Sequence, residues 1–295
     1  MKNFVLIGAA GYIAPRHMKA IRETGNNLLA ALDRHDSVGV IDSYFPDAHF
    51  FTEFERFDRH VEKLKRQQTI IDYVVVCSPN YLHDAHIRFG FRIGANVICE
   101  KPVVINPWNV DALLELENET GRQVFTILQL RHHPAILELK ERIHHNTRTP
   151  HTVQLRYVTP RGQWYGASWK GEEQKSGGIA TNIGLHFFDI LLWIFGAVKN
   201  LVVTEHSATK AAGTLMLEQA NVEWMVSIDK NDLPAGTGPA FRSLTVDGEA
   251  VDFSDGFENL HTLSYQEILQ GKGVSLTETR SGIQLVHDIR NYKIS

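Results

Sequence analysis

The sequence predicts an α/β protein of two domains. Residues 1–122 are predicted to form a doubly wound parallel sheet, and residues 123–295 an α+β domain with a large, mostly antiparallel, open-faced sheet. In the first region, short apolar runs alternate with helix-like segments, which is the order of a parallel sheet covered by helices on both faces. In the second region, apolar and polar residues alternate over longer stretches, which is typical of antiparallel strands with one buried face.

The first elements are a strand, a glycine turn and a helix. Residues 4–7 form a wholly apolar run, as expected of a strand that is buried on both faces. After the turn at residues 8–11, Pro15 can begin a helix because the first helical turn does not need its N–H, and Gly25 can end that helix. Residues 28–32 are predicted as the second strand.

The later elements follow from the same patterns. The apolar side chains of residues 52–65 recur at spacings of three and four, which predicts a helix with one buried stripe. Strands are predicted at residues 71–77, 97–99, 124–130, 152–159, 201–205, 214–219, 222–228 and 243–246. Helices are predicted at residues 83–93, 107–120, 134–144, 185–195, 264–270 and 277–291.

Charge, hydropathy and cysteine content exclude several classes of protein. A net charge of −4 and a pI near 6.4 give no general basic field, so we expect no nucleic acid partner. The longest apolar runs, residues 73–77 and 187–195, are shorter than a bilayer span, and we expect neither a membrane segment nor a signal peptide. Cys77 and Cys99 are too few for a disulfide framework and favour a reduced, cytoplasmic protein.

The 15 histidines do not have the spacing of a metal site. The pairs His132-His133 and His144-His145 lack the i, i+4 or cysteine-flanked arrangement that places ligands on one face. We therefore expect no bound metal.

The turn after the first strand has the setting of a dinucleotide-binding loop. Gly8 and Gly11 lie between a strand and a helix, where backbone N–H groups can approach a pyrophosphate, and Tyr12 and Ile13 complete the loop. The loop departs from the G-x-G-x-x-G pattern by one extra residue between its glycines and by Ala14 in the third glycine position. An ordinary strand–helix turn stays open as the alternative.

Polar residues at other strand ends support cofactor binding. Asp33 ends the second predicted strand, where a carboxylate accepts hydrogen bonds from the adenosine ribose and repels the 2′-phosphate of NADP. NAD is therefore the predicted cofactor. Ser78, Asn80 and His83 follow the strand at residues 71–77, at the sheet edge where the nicotinamide half would lie, although a plain turn explains them equally well.

Glu100-Lys101-Pro102 follows the predicted strand at residues 97–99. Lys101 would then stand at the carboxyl edge of the sheet, on a turn stiffened by proline, from which an ammonium group can donate to an oxygen. A solvated loop lysine is the alternative.

Taken together, these motifs resemble the Gfo/Idh/MocA family of oxidoreductases, and the resemblance covers the whole chain. It implies an N-terminal Rossmann domain, followed by an open-faced sheet domain, and an NAD site that includes Glu100 and Lys101. In this family the lysine works with a downstream Asp-x-Gly-x-His segment. The segment here runs from Asn182 to His186, so the histidine matches and the aspartate does not.

Longer strings at residues 8–17, 129–133, 161–165 and 168–171 are similar to bacterial dehydrogenases of UDP-N-acetylglucosaminuronic acid. This resemblance implies oxidation of the 3-hydroxyl of that UDP-sugar, in the synthesis of surface polysaccharide such as lipopolysaccharide O-antigen, with a 2-oxo acid as a possible hydride acceptor. A dehydrogenase of a free sugar or cyclitol, and a non-catalytic NAD-binding sensor, stay open as alternatives.

The catalytic residues predicted on this basis are Lys101, His186 and Asn182. A neutral histidine is suited to take the hydroxyl proton near neutral pH, and a lysine cation to stabilise the developing alkoxide. Which of Lys101 and His186 formally takes the proton is left open. Asn182 keeps a hydrogen-bonding side chain without the charge of the aspartate.

Substrate binding is assigned to Arg131, Tyr165 and Lys170, together with the three catalytic residues. The guanidinium of Arg131 could clamp a sugar carboxylate, with a surface ion pair as the alternative. Tyr165 and Lys170, flanked by tryptophans, suit a sugar face and an acidic group, with ordinary sheet packing as the alternative. The open sheet face predicts a homo-oligomer, either a dimer or a tetramer.

Overall fold

The computed structural model describes residues 1–145, 150–253 and 255–294, which fall into two compact units. The first unit consists of Met1–Val104, Trp108–Gln129 and Glu258–Glu278, and the second of Ile105–Pro107, Leu130–Phe257 and Thr279–Ser295. Apart from residues 105–107, the chain passes from the first unit to the second after residue 129, whereas the predicted domain boundary is residue 122. It also returns to the first unit at residues 258–278, which the sequence pattern placed in the second domain.

The first ten elements alternate strands and helices as predicted, except that an additional strand follows the second one. They are β1 Asn3–Ile7, α1 Ala14–Glu23, β2 Asn27–Leu32, β3 His49–Phe51, α2 Phe54–Arg66, β4 Tyr73–Val76, α3 His83–Ile93, β5 Asn96–Cys99, α4 Pro107–Thr120 and β6 Val124–Thr126. Pro15 lies in the first turn of α1, and α3 ends at Gly94, whose φ of 79° is in the left-handed region.

The sheet of the first unit is parallel throughout, with the strand order β3-β2-β1-β4-β5-β6. The order reverses between β1 and β4, and in open α/β sheets ligands bind beyond the carboxyl ends of the strands at such a point. All four residues of β4 are buried, as expected for a strand covered on both faces. The sheet therefore presents the turns after β1 and β4 side by side at one edge.

The remaining elements are α5 Pro134–His144, β7 His151–Val158, α6 Gln163–Ala167, α7 Glu173–Ser176, α8 Leu185–Phe195, β8 Val198–His206, β9 Lys210–Leu217, β10 Ala220–Ser227, β11 Phe241–Val246, β12 Glu249–Ala250, α9 Leu260–Leu269 and α10 Leu276–Arg290. A π-helical turn, Ala180–Gly184, leads directly into α8. The strands form one sheet in the order β12-β11-β7-β10-β9-β8, in which only the β7–β10 pair is parallel.

One face of this second sheet is buried and the other is open. Along β7 and β10 buried and exposed residues alternate, and the buried Trp224 meets Phe188 of α8 with ring centroids 5.1 Å apart. On the other face Val202 and Met216 are 38% and 48% exposed. The predicted open-faced sheet is confirmed.

Helix α9 belongs to the first unit because its apolar side packs into that unit's core. Tyr265 and Ile268 join the same cluster as Phe4 and Met18. The adjoining segment also contacts β6, since the N–H of Thr126 donates to the carbonyl oxygen of Val274 over 2.9 Å. Alternation of helix and strand along the sequence gave no indication of this return.

Several predicted boundaries differ from the observed ones. Strand β6 ends at Thr126, and a 3-10 turn at Gln129–His132 replaces the end of the predicted strand 124–130. Strand β3, helices α6 and α7 and the π-helical turn were not predicted. These elements are all five residues or shorter, too short to establish a hydrophobic period.

The helical stretch Glu173–Phe195, which comprises α7, the π-helical turn and α8, is the one stretch in the described part of the chain that is long and apolar enough to cross a membrane. Its mean hydropathy is 1.5, but 67% of the apolar window is buried inside the protein. Since the core helix of a soluble protein has the same features, we assign this stretch to the core of the second unit.

Candidate active site

The turn after β1 is a tight cradle that only glycine can form at its first position. Gly8 has a φ of +98°, and a Cβ there would lie 2.5 Å from the carbonyl carbon of Cys77, the residue directly after β4. At Gly11 a Cβ would lie 3.1 Å from the carbonyl oxygen of Gly8. The two neighbouring strand ends can therefore approach each other only because the side chain is missing.

Helix α1 begins at the end of this cradle. Its first N–H groups carry the partial positive charge of a helix N-terminus, which favours an anionic ligand such as a pyrophosphate. Tyr12, the residue before the cap Ile13, is 89% exposed. The predicted loop residues therefore lie together between β1 and α1.

The carboxylate of Asp33 lies beside the same cradle. Its Oδ2 accepts from the N–H of Ala10 and its Oδ1 from the N–H of His35, each over 2.9 Å. Asp33 is half-buried, directly after β2. The structure thus brings the predicted ribose acceptor to the glycine turn, as an NAD site requires.

The turn after β4 holds two buried polar residues. Ser78 is 8% exposed and Asn80 6% exposed. The Ser78 hydroxyl bonds Nδ1 of His86 at 2.8 Å, and burial lowers the pKa of His86 to about 4. His86 is therefore neutral near pH 7, and sequence reasoning did not identify it.

The side chain of His83, predicted to contact the cofactor, is bonded inside the protein, and its contact with the cofactor stays a prediction. The ring is fully buried, and its two nitrogens lie 2.7 Å from the carbonyl oxygens of Ser78 and Pro102. Burial lowers the pKa of His83, and the charge of Lys101 acts in the same direction. His83 connects two turns of the sheet edge.

Lys101 is half-buried and follows β5, as predicted, with a cis peptide bond to Pro102. Its backbone N–H donates to Oε2 of Glu100 over 3.2 Å. The Glu100 side chain is 8% exposed and points into a cluster of buried histidines. The Glu100 carboxylate is therefore engaged inside the first unit, and its predicted part in the NAD site stays a prediction.

In the second unit, Asn182 and His186 flank the junction of the π-helical turn and α8. π-helical turns within helices are frequent at functional sites. Both side chains are half-buried, while the neighbouring Thr181, Ile183 and Leu185 are buried. The local fold therefore leaves these two polar side chains accessible on an otherwise apolar segment.

Tyr165 is hydrogen-bonded to Asn182. The Asn182 amide donates to the tyrosine hydroxyl oxygen over 2.6 Å. Tyr165 is only 4% exposed, and burial raises its pKa although the bond from Asn182 opposes this. The hydroxyl therefore stays protonated near neutral pH and can itself donate. Three of the predicted site residues, Tyr165, Asn182 and His186, thus belong to one region of the second unit.

Lys170 lies among aromatic rings. Its Nζ is 4.5 Å from the ring centroid of Trp169 and 5.7 Å from that of Trp164. Burial, together with the nearby charge of Arg161, lowers the pKa of Lys170. Two cations so close together favour an anionic ligand.

Arg131 forms a buried ion pair rather than an open clamp. Its Nε and Nη2 donate to the two carboxylate oxygens of Asp189 over 2.9 and 2.8 Å, and both side chains are buried. The bidentate edge of the guanidinium is therefore taken by Asp189. The predicted clamp on a sugar carboxylate cannot use this edge, and the predicted alternative, an ion pair, is observed in the core instead of on the surface.

Sequence reasoning also missed His17, His261 and Tyr265. His17 and Tyr265 are both fully buried and bonded to each other at 2.8 Å, although they are 248 positions apart in sequence. His17 lies within α1, and no sequence pattern distinguished it from the other residues of that helix. The return of the chain to the first unit brings the two other residues to it.

The parallel sheet with its strand reversal, the glycine cradle and Asp33 fit NAD and define an NAD-dependent oxidoreductase. Residues 2–128 match the NAD-binding Rossmann fold of the oxidoreductase family, and residues 140–227 match its C-terminal alpha/beta domain. The chain belongs to the Gfo/Idh/MocA family of oxidoreductases.

Two solved structures extend the similarity to the whole chain. Both are of the WlbA (WbpB) dehydrogenase from Thermus thermophilus, are 47% identical to this chain, and have TM-scores of 0.97 and 0.96. Each match covers 100% of this chain and 96% of the other. The first is a complex with NAD and alpha-ketoglutarate, and the second a complex with NAD and UDP-GlcNAcA.

Curated relatives are more distant. The putative oxidoreductase YteT of Bacillus subtilis is 27% identical over 66% of this chain and 47% of that protein. The D-glucoside 3-dehydrogenase of Escherichia coli is 26% identical over 47% of this chain and 40% of that protein. The matches thus span about half the length of these two relatives.

Proposed function

We propose that the protein oxidises the 3-hydroxyl of UDP-N-acetyl-D-glucosaminuronic acid to a ketone, in the synthesis of a surface polysaccharide. The observation that carries this proposal is the 47% identity over the whole chain to a dehydrogenase whose structure contains NAD and UDP-GlcNAcA. The sequence strings at residues 8–17, 129–133, 161–165 and 168–171, which resemble dehydrogenases of this UDP-sugar, belong to the same similarity.

We assign proton transfer to His186 and charge stabilisation to Lys101. A neutral imidazole can accept the hydroxyl proton near pH 7, and a lysine ammonium stabilises the negative charge that develops on the same oxygen. Bound NAD supplies the acceptor for the hydride. The amide of Asn182, held by Tyr165, orients the sugar by a hydrogen bond.

We propose that the cations Lys170 and Arg161 of the second unit bind an anionic group of the substrate. Lys170 lies over two tryptophan rings and close to Arg161, and its lowered pKa reflects both burial and that neighbouring charge. An anion would relieve the repulsion between the two cations. Lys170 therefore replaces Arg131 as the better candidate for binding an acidic group.

We further propose that a 2-oxo acid regenerates the oxidised cofactor, with reduction to the 2-hydroxy acid. The support is the complex of the Thermus thermophilus enzyme with NAD and alpha-ketoglutarate. Oxidation of the sugar alcohol releases a hydride and a proton, and reduction of the 2-oxo acid consumes both, so the two half-reactions balance.

The open sheet face supports assembly into a homo-oligomer, a dimer or a tetramer. Val202 and Met216 are apolar, exposed and on the same face of adjacent strands. The two buried cysteines are free thiols, which supports a location of the protein in the reducing cytoplasm.

The test is to incubate the protein with UDP-N-acetyl-glucosaminuronic acid, NAD and 2-oxoglutarate, and to follow both products by mass spectrometry. We expect the 3-keto sugar and the 2-hydroxy acid in equal amounts. Excess UDP should inhibit the reaction, because a UDP-sugar site binds it and a free-sugar site does not. Oxidation of free sugars or cyclitols that UDP leaves unaffected would refute the proposed substrate.

A further inference from the structure

The carboxylate of Glu100 is the centre of a buried polar cluster in the first unit. Its Oε1 lies 2.9 Å from Nε2 of His17 in α1 and 3.2 Å from Nε2 of His261 in α9. The exposed fractions are 0% for His17, 3% for His261 and 8% for Glu100. Three titratable side chains are thus shielded from solvent directly beneath the Glu100-Lys101 turn.

The hydrogen bonds have a defined direction. An ionised carboxylate only accepts, so both Nε2 atoms must donate to it. Burial lowers the pKa of His17, and its neutral ring can then accept at Nδ1 from the hydroxyl of Tyr265, 2.8 Å away. Burial alone would raise the pKa of Glu100, but the bonds from His17 and His261 hold it well below its usual range. Glu100 therefore stays ionised in the folded protein.

The two oxygens of Glu100 have different partners. Oε1 accepts from the two histidines, while Oε2 accepts from the backbone N–H of Lys101 over 3.2 Å. Any movement of the carboxylate is therefore passed to the backbone of Lys101.

The three residues also have the composition of a metal site, with two imidazoles and a carboxylate whose donor atoms all lie within 4.8 Å of one another. However, the nitrogen–oxygen separations of 2.9 and 3.2 Å are those of direct hydrogen bonds. The second nitrogen of His17 is bonded to Tyr265, which extends the cluster as a hydrogen-bonded chain. This geometry favours a network without an ion.

We propose that His17, His261 and Tyr265 are positioning residues, which hold the Glu100 carboxylate and through it fix Lys101 for catalysis. The proposal rests on the proposed role of Lys101, but the network itself can be tested without substrate. It also gives the chain's return at residues 258–278 a function, because this segment supplies two members of the network.

The decisive pair of variants is His261→Ala and His261→Gln. Alanine removes one donor to Glu100, whereas the glutamine amide can still donate from the position of Nε2. We expect His261→Ala to lower kcat about 10- to 100-fold, since small misplacement of a catalytic group has effects of that order. KM for the sugar and for NAD should change by less than about threefold, and His261→Gln should restore most of kcat.

The pH dependence of kcat gives a readout that loss of stability alone would not move. The groups that face Glu100 are His17, Cys77, His83, Cys99, Lys101, His261 and Tyr265. Activity is lost at low pH as His186, the proposed base, takes up a proton, and it is lost further as the pH falls through the pKa of Glu100 and its carboxylate is protonated. Removing the His261 donor raises that pKa, so the acid limb of the profile should move to higher pH in His261→Ala and stay in place in His261→Gln.

A second readout does not depend on the proposed reaction. The rate at which an amine-specific reagent modifies Lys101, followed by peptide mass spectrometry, should rise at least about threefold in His261→Ala, because the half-buried lysine is no longer fixed. Exposed Lys199 provides the internal reference.

The matched control is His151→Ala. His151 is also fully buried and pairs with a carboxylate, Asp247, at 2.7 Å, but it lies in the second unit. This change should lower the melting temperature without altering Lys101 labelling or the acid limb of the pH profile.

The outcomes are distinguishable. If wild-type protein does not oxidise the UDP-sugar but His261→Ala still changes Lys101 labelling, the proposed substrate fails and the network stands. Wild-type labelling in His261→Ala, or equal defects in the alanine and glutamine variants, would overturn the network. Stoichiometric metal in the purified protein, lost together with Lys101 protection on chelation, would overturn it in favour of a metal centre.

Discussion

The first position of the cofactor cradle, Gly8, has no room for the methyl group of even an alanine side chain. At Gly8 an added Cβ meets the Cys77 carbonyl carbon at 2.5 Å, on backbone whose φ of +98° already disfavours other residues. Glycine is thus required at this position for two reasons, the backbone conformation and the close contact with Cys77. The strand–turn–helix setting made this residue predictable, because all of its determinants except Cys77 are local in sequence.

Gly8→Ala should abolish measurable NAD binding and cost about 3 kcal/mol or more of stability, because the methyl group must displace the neighbouring strand end. The matched control is Gly236→Ala, which has a φ of +78° but no atom within 4 Å of the added Cβ. That change should cost about 1 kcal/mol, from backbone strain alone, and leave binding intact. Calorimetric titration with NAD and chemical unfolding measure both quantities, and equal effects of the two changes would refute the steric role.

Lys101→Met should lower kcat by about 100- to 10,000-fold, because the charge that stabilises the developing alkoxide is removed from a partly buried site. NAD affinity should stay within about threefold of the wild-type value, since the glycine cradle and Asp33 are unchanged. Lys199→Met is the exposed control. Steady-state kinetics of the sugar oxidation check the prediction, which undiminished turnover of Lys101→Met would contradict.

The residues that sequence reasoning missed share one property. His261 lies 161 positions from Glu100, and neither residue's neighbours in sequence suggest the bond between them. Arg131 was read as a substrate clamp for the same reason, because Asp189, its buried partner, lies 58 positions further along the chain. Local patterns predict turns and caps, whereas the partner of a buried charge depends on tertiary packing.

At the scale of elements, the strands and longer helices followed from their hydrophobic periods. The four residues of β4 are all buried, as the apolar run predicted for a parallel sheet that is covered on both faces. Along β7 buried and exposed residues alternate, as predicted for an antiparallel sheet with one open face. Strand β3 and the π-helical turn before His186 are too short to carry such a pattern. The assignment of α9 to the first unit depends on contacts with α1 that no local pattern encodes.

Strands β8 and β9 approach each other closely at Gly213. An added Cβ there would lie 2.1 Å from the carbonyl oxygen of Val202 and 3.1 Å from the ring of Trp224. Gly213→Ala should therefore destabilise the protein by about 2 to 3 kcal/mol, because the two strands must separate. Gly238→Ala, whose methyl group meets nothing within 4 Å, should change stability by less than about 0.5 kcal/mol. Urea unfolding distinguishes them, and a fully stable Gly213→Ala variant would contradict the packing.

At the scale of the whole molecule, the open face of the second sheet predicts self-association. Val202→Asp combined with Met216→Asp places two charges among exposed apolar side chains on that face. We expect this variant to be a monomer by light scattering at micromolar concentration, while the wild type is a dimer or a tetramer. Leu137→Asp, at a residue 44% exposed on α5, is the control and should leave the mass unchanged. A monomeric wild type would refute the prediction.

In the proposed reaction, the protein transfers a hydride from C3 of a UDP-linked sugar acid to NAD. UDP-N-acetyl-glucosaminuronic acid carrying deuterium at C3 tests it most directly, with 2-oxoglutarate present and NAD in substoichiometric amount. We predict a 3-keto sugar without the label, and the deuterium at C2 of the 2-hydroxy acid or on the nicotinamide, by mass spectrometry. Recovery of the sugar with its deuterium intact, from protein that binds NAD, would contradict the proposed reaction.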